Sequence, residues 1–351
     1  MKAPAGEIAL TGAGDPMADA QPMIEFWRGE LAESIHSGHA VVCGPDGDPV
    51  AAWGDPAAVI YPRSSMKMIQ ALPLVESGAD LSSERLALAC ASHEGAPEHV
   101  ERVRGWLADL ALGDDALLCG REPPRDRDAK HAMIRAGREP DQAHNQCSGK
   151  HAGFLHLARR LGSTGPYTDP AGPVQRAVRA AFEDLTGEAS PATGIDGCAA
   201  PNFATSVAGL ARAMARFAAA RTGQGARGAA MVALREGMMS HPWLVAGTGK
   251  ATTRLMEAAG GRAAVKVGAE GVFVAILPER RLGIALKILD GAERAAEAAM
   301  AALLAHLDVL DPAHPAVRRL AFAPIRNRAG AEVGHVRPAP GFAQTAKSST
   351  A

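Results

Sequence analysis

Lysine is scarce in this chain. Only eight of its 37 Lys+Arg positions are lysine (2, 67, 130, 150, 250, 266, 287 and 347), and the rest are arginine. A composition that writes its surface cations as arginine retains lysine where arginine would not serve, because a desolvated amine can lose its proton and a guanidinium cannot. Charge of one sign is lacking too. The formal net charge of −1 leaves no electrostatic reason to expect nucleic acid or an anionic membrane as partner. No apolar run approaches the roughly 20 residues of a membrane span. Residues 1–22 are Gly/Ala/Pro-rich and acidic, with no basic stretch leading into an apolar one, so they read as a flexible leader and the protein as cytoplasmic.

Cysteine is few and odd in number: 43, 90, 119, 147 and 198. So scattered a set in a large chain without an export signal excludes a disulfide framework. Cys43 and Cys90 lie in apolar runs and read as inert core residues. Cys147 and Cys198 differ, each being bracketed by glycine and polar residues. Internal repeats, His-x-x-x-His, Cys-x-x-Cys, the P-loop and the dinucleotide fingerprint are all missing.

Three of the few lysines occupy motif-like settings: Ser64-Ser65-Met66-Lys67, Cys147-Ser148-Gly149-Lys150 and Val265-Lys266-Val267-Gly268. A serine at the mouth of a helix with lysine three residues on places both side chains on one face, about 5–6 Å apart at Cβ. A neutral lysine can then draw the hydroxyl proton, which makes Ser64 a candidate nucleophile and Lys67 its base. An N-cap serine beside a solvated lysine gives the same pattern. Ser92, in Ala91-Ser92-His93-Glu94-Gly95, could supply a second hydroxyl or simply close a helix. Lys266 sits on a strand just before a glycine turn, as an edge-strand lysine also would. Cys147, Lys150 and the distant Cys198 suit zinc, with two thiolates and a neutral amine as ligands. Two free thiols lining a pocket fit the same residues. His144, His151 and Asp196 flank these loops.

Short strands are expected at 39–43, 50–53 and 57–61, then helices at 65–77, 84–92, 97–112, 129–137 and 150–161. Asp169 and Pro170 are expected to open a helix closed by Gly187. Further helices follow at 203–221, 226–239 and 251–259. The period then changes to strands at 263–267, 271–277 and 282–288, a helix at 291–307, and two last strands around the turn Arg326–Gly330. Strands at both ends with helices between suggest an α+β fold: an antiparallel sheet from about 23–62 and 262–340 and an inserted helical lobe over about 63–261, in a single domain spanning 23–340. Residues 341–351 read as a flexible tail.

Five motifs in order carry a resemblance: Arg63-Ser64-Ser65-Met66-Lys67, Ala89-Cys90-Ala91-Ser92-His93, Asn145-Gln146-Cys147-Ser148-Gly149-Lys150-His151, Gly194-Ile195-Asp196-Gly197-Cys198 and Val265-Lys266-Val267-Gly268-Ala269-Glu270-Gly271. Together they resemble the rhizobial-type (class 3) L-asparaginase II family over roughly residues 23–340. The resemblance implies a fold similar to serine β-lactamases and penicillin-binding proteins, a homodimer, and hydrolysis of L-asparagine to aspartate and ammonia. It implies two Ser-Lys pairs, Ser64–Lys67 and Ser92–Lys266. It further implies zinc held by Cys147, Lys150 and Cys198, with Arg63, His151 and Asp196 lining the substrate pocket. Two other readings of the same motifs are a penicillin-recognising hydrolase or esterase and a non-catalytic ligand sensor.

Overall fold

The computed structural model describes residues 19–344. Its main sheet is antiparallel and draws on both ends of the chain. The strands are β1 (Gln21–Arg28), β2 (Leu31–Cys43), β3 (Pro49–Trp53), β4 (Val59–Ile60), β5 (Thr193–Ile195), β6 (Pro201–Phe203), β7 (Thr205–Ser206), β8 (Ala264–Val267), β9 (Val272–Leu277), β10 (Leu282–Ile288), β11 (Pro324–Arg326) and β12 (Glu332–Pro338). The order β11-β12-β1-β2-β10-β9-β8 forms the large sheet, with β3 also paired to β2. This is the α+β architecture expected, with N- and C-terminal strands knitted together through pairs such as Ile24 with Pro338 and Gly38 with Ile288.

The helices are α1 (Lys67–Glu76), α2 (Ser83–Ala89), α3 (Pro97–Asp109), α4 (Arg127–Arg135), α5 (Ser148–Arg160), α6 (Pro173–Thr186), α7 (Val207–Ala219), α8 (Gly225–Ser240), α9 (Pro242–Ala246), α10 (Ala251–Ala259), α11 (Glu293–His306) and α12 (Pro315–Ala321). Ten of them lie between β3 and β8 in sequence. Helices α7 and α11 both pack on β9 and β10. Every residue of β9, Val-Phe-Val-Ala-Ile-Leu, is therefore buried, and the strand reads as a continuous apolar run rather than an alternation.

Several expectations change in detail. The sheet begins at Gln21, so the last residues assigned to a leader are strand, while residues 1–18 lie outside the described residues. The outer half of β2 escapes the sequence because its exposed positions are Leu31, Glu33 and Ile35 and its more covered ones Ala32, Ser34 and His36, so apolarity does not track burial along it. Asp169 makes a turn by accepting from the Ala171 amide, and α6 starts only at Pro173. Pro173 fits at the first helical position, where its missing N–H costs nothing. The tail expected from 341 is anchored at Phe342, which is fully buried and edge-on to Trp53; residues 345–351 lie outside the described residues.

Helix α7 approaches β10 so closely that Gly283 has no room for a side chain. A Cβ there would lie 2.0 Å from the Ala215 nitrogen and 2.4 Å from the Ala211 oxygen, both backbone atoms that cannot swing aside. Gly283→Ala should therefore cost at least about 3 kcal/mol by forcing helix and sheet apart. Chemical denaturation of the two proteins measures this, and an unchanged midpoint would contradict it.

Candidate functional site

A cleft of about 650 Å³ opens where the sheet meets the helices. Its walls include Arg63 and Ser64 ahead of α1, Ser92 after α2, Cys147 before α5, the loop Asp196–Cys198, and the turn Val267–Gly271 between β8 and β9. The chain enters α1 through a tight 3-10 turn, Arg63–Met66, in which Pro62 O accepts both the Ser65 amide and the Ser65 hydroxyl. Arg63 itself adopts a left-handed φ of 55°, uncommon for a side chain of its size. Gly268 lets β8 abut this turn, since a Cβ would come within 2.6 Å of Pro62 O. Ser64 is thereby held at the seam with its hydroxyl free of hydrogen-bond partners among the described residues.

Two fully buried lysines converge on one oxygen. Lys67 Nζ lies 2.9 Å and Lys266 Nζ 2.8 Å from Ser92 Oγ. Lys67 also donates to Ala91 O and lies 3.2 Å from Cys147 Sγ. Its three acceptors match the three N–H donors of an ammonium. Lys266 donates to Val267 O at 2.7 Å. Burial first, and the Lys67 cation second, push the Lys266 amine well below its usual range, so Lys266 is the neutral member with a lone pair to offer. Both nitrogens lie within donating distance of the Ser92 oxygen, and a neutral Lys266 also has a lone pair to offer the Ser92 hydroxyl. The Ser92–Lys266 contact expected from sequence is present, and a Ser64–Lys67 hydrogen bond is not found among the described residues. Lys67 is bonded to Ser92 rather than to Ser64, and Lys266 reaches the same hydroxyl. The physical reason is that Lys67, at the first position of α1, points into the helical lobe, where Ala91 O, Ser92 and Cys147 offer acceptors.

The sulphurs lie next to this pair. Lys150 Nζ lies 2.9 Å from Cys198 Sγ. The Cys147 thiol is pulled well below its usual range, foremost by a hydrogen bond from Cys198 and then, against burial, by the Lys67 and Lys150 cations. The same contact, with burial, pushes the Cys198 thiol up. Burial alone would depress Lys150, yet the two sulphurs outweigh it and keep its ammonium charged above the usual range. All five cysteines are free. Among the described residues no group of three or more His, Cys, Asp or Glu is placed to hold a metal. The trio Cys147, Lys150 and Cys198 does come together, and its donors, two soft sulphurs and an amine, fit zinc.

Arg63 Nε and Nη2 both bond Asp196 Oδ1, at 3.0 and 2.8 Å, and that oxygen also accepts the Gly197 amide. Although burial pushes the Asp196 carboxyl up, Arg63 and Lys150 hold it below its ordinary range. His151 is not on the cleft surface. It is fully buried on α5, with Nδ1 2.9 Å from the Tyr167 hydroxyl, whose oxygen already accepts the Leu118 amide. The other ring nitrogen, Nε2, has no partner among the described residues. His144 stands apart, capping a short turn through Asp141.

Sequence reasoning missed Tyr167, His93, Glu122 and Asn202. His93 ties the Ser92 loop to α5 through Ser148 at 2.9 Å, Glu122 accepts the Gln146 amide, and Asn202 accepts the Arg63 amide. His93 and Asn202 sit beside recognisable motifs; Tyr167 and Glu122 lie in loops with no local signal.

A sequence model of the family described as L-asparaginase II matches residues 24–338. No curated protein matches the chain. Among solved structures, a β-lactamase from Mycobacterium bovis is 17% identical, with 74% of this chain and 89% of that one covered and a TM-score of 0.37. A putative β-lactamase from Bacteroides dorei is 15% identical, with 72% and 85% covered and a TM-score of 0.38.

The sulphur pair generates a spectroscopic expectation. Metal-free protein at neutral pH should retain the near-240 nm absorbance of a thiolate, and Cys147→Ser should remove it while Cys90→Ser, whose thiol burial pushes up to about 12, should not. An absorbance indifferent to Cys147 would contradict the charge assignment.

Proposed function

Because the chain belongs to the L-asparaginase II family, and so is an amidohydrolase that acts on L-asparagine, we propose that it works through a serine ester formed above the Lys67–Ser92–Lys266 chain. The observation that carries this reading is the single oxygen of Ser92 shared by two buried lysine nitrogens at 2.9 and 2.8 Å, on a cleft that Ser64 also lines. Ser64, its hydroxyl uncommitted, attacks the side-chain amide carbon of asparagine. Its proton enters the lysine chain, where Lys266 has the free lone pair. The new C–O bond gives a tetrahedral oxyanion, for which backbone N–H groups at Ser64 and along the strand after Lys266 are the donors. Ser92 then passes a proton to the amide nitrogen as the C–N bond breaks, ammonia leaves, and water hydrolyses the aspartyl ester. Arg63 and Asp196, both on the cleft wall, orient the substrate around this centre.

A second assignment of the nucleophile is favoured by one specific contact. Ser92, not Ser64, already lies 2.8 Å from the amine whose pKa burial depresses, a contact typical of an activated serine. Rapid acid quenching of turnover, with mass spectrometry of the peptides, separates the two: the aspartyl adduct is expected on the Ser64 peptide. Ser64→Ala should lose about 10³-fold or more in kcat, and wild-type turnover from that variant would end the Ser64 assignment. The base assignment has its own sign. Lys266 acts only when neutral and its pKa is depressed, so kcat/KM should fall as pH drops through that lowered value and level off above it, well short of the ordinary lysine range. A maximum in mild acid would favour a carboxylate base.

Zinc belongs to the same proposal, with Cys147, Lys150 and Cys198 as its ligands. When bound it supplies a fixed positive charge that anchors a substrate oxygen beside the serines. Lys150, charged in the metal-free protein, and Cys198 must both shed protons to bind it, so zinc affinity should rise steeply with pH. Chelation should raise KM more than it lowers kcat; complete loss of kcat would contradict a positioning role. The near-neutral net charge supports a small-molecule enzyme without nucleic-acid or membrane partners, and among the described residues no helix is long and apolar enough to cross a membrane. We place it in the cytoplasm as a homodimer, which sedimentation would test.

A further inference from the structure

Two residues with strained backbones face each other across the mouth of the cleft. Arg63 and Glu270 both carry side chains yet adopt left-handed φ values of 55° and 59°. Such outliers persist only where the surroundings impose them, and they cluster at ligand sites. They come from opposite walls: Arg63 from the turn ahead of α1, Glu270 from the tip of the turn between β8 and β9. Their charged ends are 4.0 Å apart, Arg63 Nη1 to Glu270 Oε1, close enough to attract and too far for a hydrogen bond.

Charge and geometry both leave this pair open to a ligand. Arg63 commits Nε and Nη2 to Asp196, and Nη1 is its one nitrogen without a hydrogen bond among the described residues. Asp196 is the counter-ion of that guanidinium, so the pair is already neutral. Of the other carboxylates on the cleft, Glu122 is paired with Arg125, and Glu270 is the one facing Arg63. Its carboxylate rests in a niche made by Gly291, where a Cβ would stand 2.8 Å from Oε2. Its carbonyl is tied down by Lys287. The turn is thus fixed while the side chain, 68% exposed, can still turn toward the cleft.

We propose that Arg63 and Glu270 together read the zwitterionic end of the substrate, Arg63 Nη1 taking the α-carboxylate and Glu270 the α-ammonium. This inference rests on the asparaginase reading of the site and deepens it, since it makes Glu270 the residue that distinguishes an amino acid from a plain amide of the same length. A carboxylate left facing a substrate without the ammonium loses a charged partner, which is how a polar site rejects a near-isostere. The ligand enters by parting the loose ion pair and replacing each half of it.

The test compares asparagine with succinamate, which is asparagine without its amino group, by ammonia release from the full chain. Wild type should prefer asparagine, and Glu270→Gln should cut that preference at least about tenfold, through a higher KM for asparagine with kcat and the succinamate rate nearly unchanged. Glu270→Asp, keeping the charge on a shorter arm, should recover part of it. A Glu270→Gln variant that folds and keeps the wild-type preference would overturn the assignment, with the ammonium then read elsewhere, for example by Asp196 Oδ2. Ammonia from neither amide with wild type would instead remove the asparaginase reading, and this inference with it.

Discussion

Two amines cannot both stay charged when they share one oxygen in a dry interior. Lys67 and Lys266 are each fully buried, each within 3 Å of Ser92 Oγ, and among the described residues neither is bonded to a carboxylate. Removing an ammonium from water costs several kcal/mol even after relaxation, and a second beside it adds repulsion. The site resolves this by giving one lysine three acceptors and the other a lone pair. The Ala91 carbonyl, the Cys147 sulphur and the Val267 carbonyl are the partners that make the division possible. They lie on three different segments of chain.

Much of the surrounding architecture serves to keep those partners in place. The Ser92 loop is fastened at its own amide to Val245 O, at His93 N to Gln146 O, and at the His93 ring to Ser148. The Cys147 amide is bonded to Asn145 Oδ1, whose side-chain nitrogen reaches back to Cys119 O. These bonds join the ends of α2 and α9 to the start of α5. A hydroxyl between two nitrogens tolerates little drift, and a polar cluster in low dielectric is costly when only partly satisfied. The rigidity of this lobe is thus a requirement of the lysine pair.

Which residues matter was largely legible in the sequence, and how they pair was not. Lysine scarcity pointed to 67, 150 and 266, and all three are buried around one centre. The late strands were readable because β9 and β10 are apolar on both faces, and the turn at 326–330 because of its Asn and Gly. The outer half of β2 was illegible because Leu31 and Ile35 face outward while Ser34 and His36 lie on the more covered side. Ser-x-x-Lys spacing suggested Ser64 with Lys67, but helical spacing fixes only where a side chain starts. Where an ammonium ends is decided by acceptors brought from elsewhere, here from residues 91, 92 and 147. Tyr167, which bonds the His151 ring, could be found only after folding, since nothing near it in sequence is distinctive.

The lysine that reaches Ser92 from the sheet lies 174 residues further along the chain. It stands on a strand whose neighbours β9 and β10 join β2, formed from the opposite end of the protein. Contacts of such separation are slow to form, because loop-closure entropy must be overcome before they contribute stability. A newly made chain therefore holds both serines and all four thiols of the lobe long before it holds the second amine. A chain ending before β8 thus holds both serines but lacks the second amine of the centre.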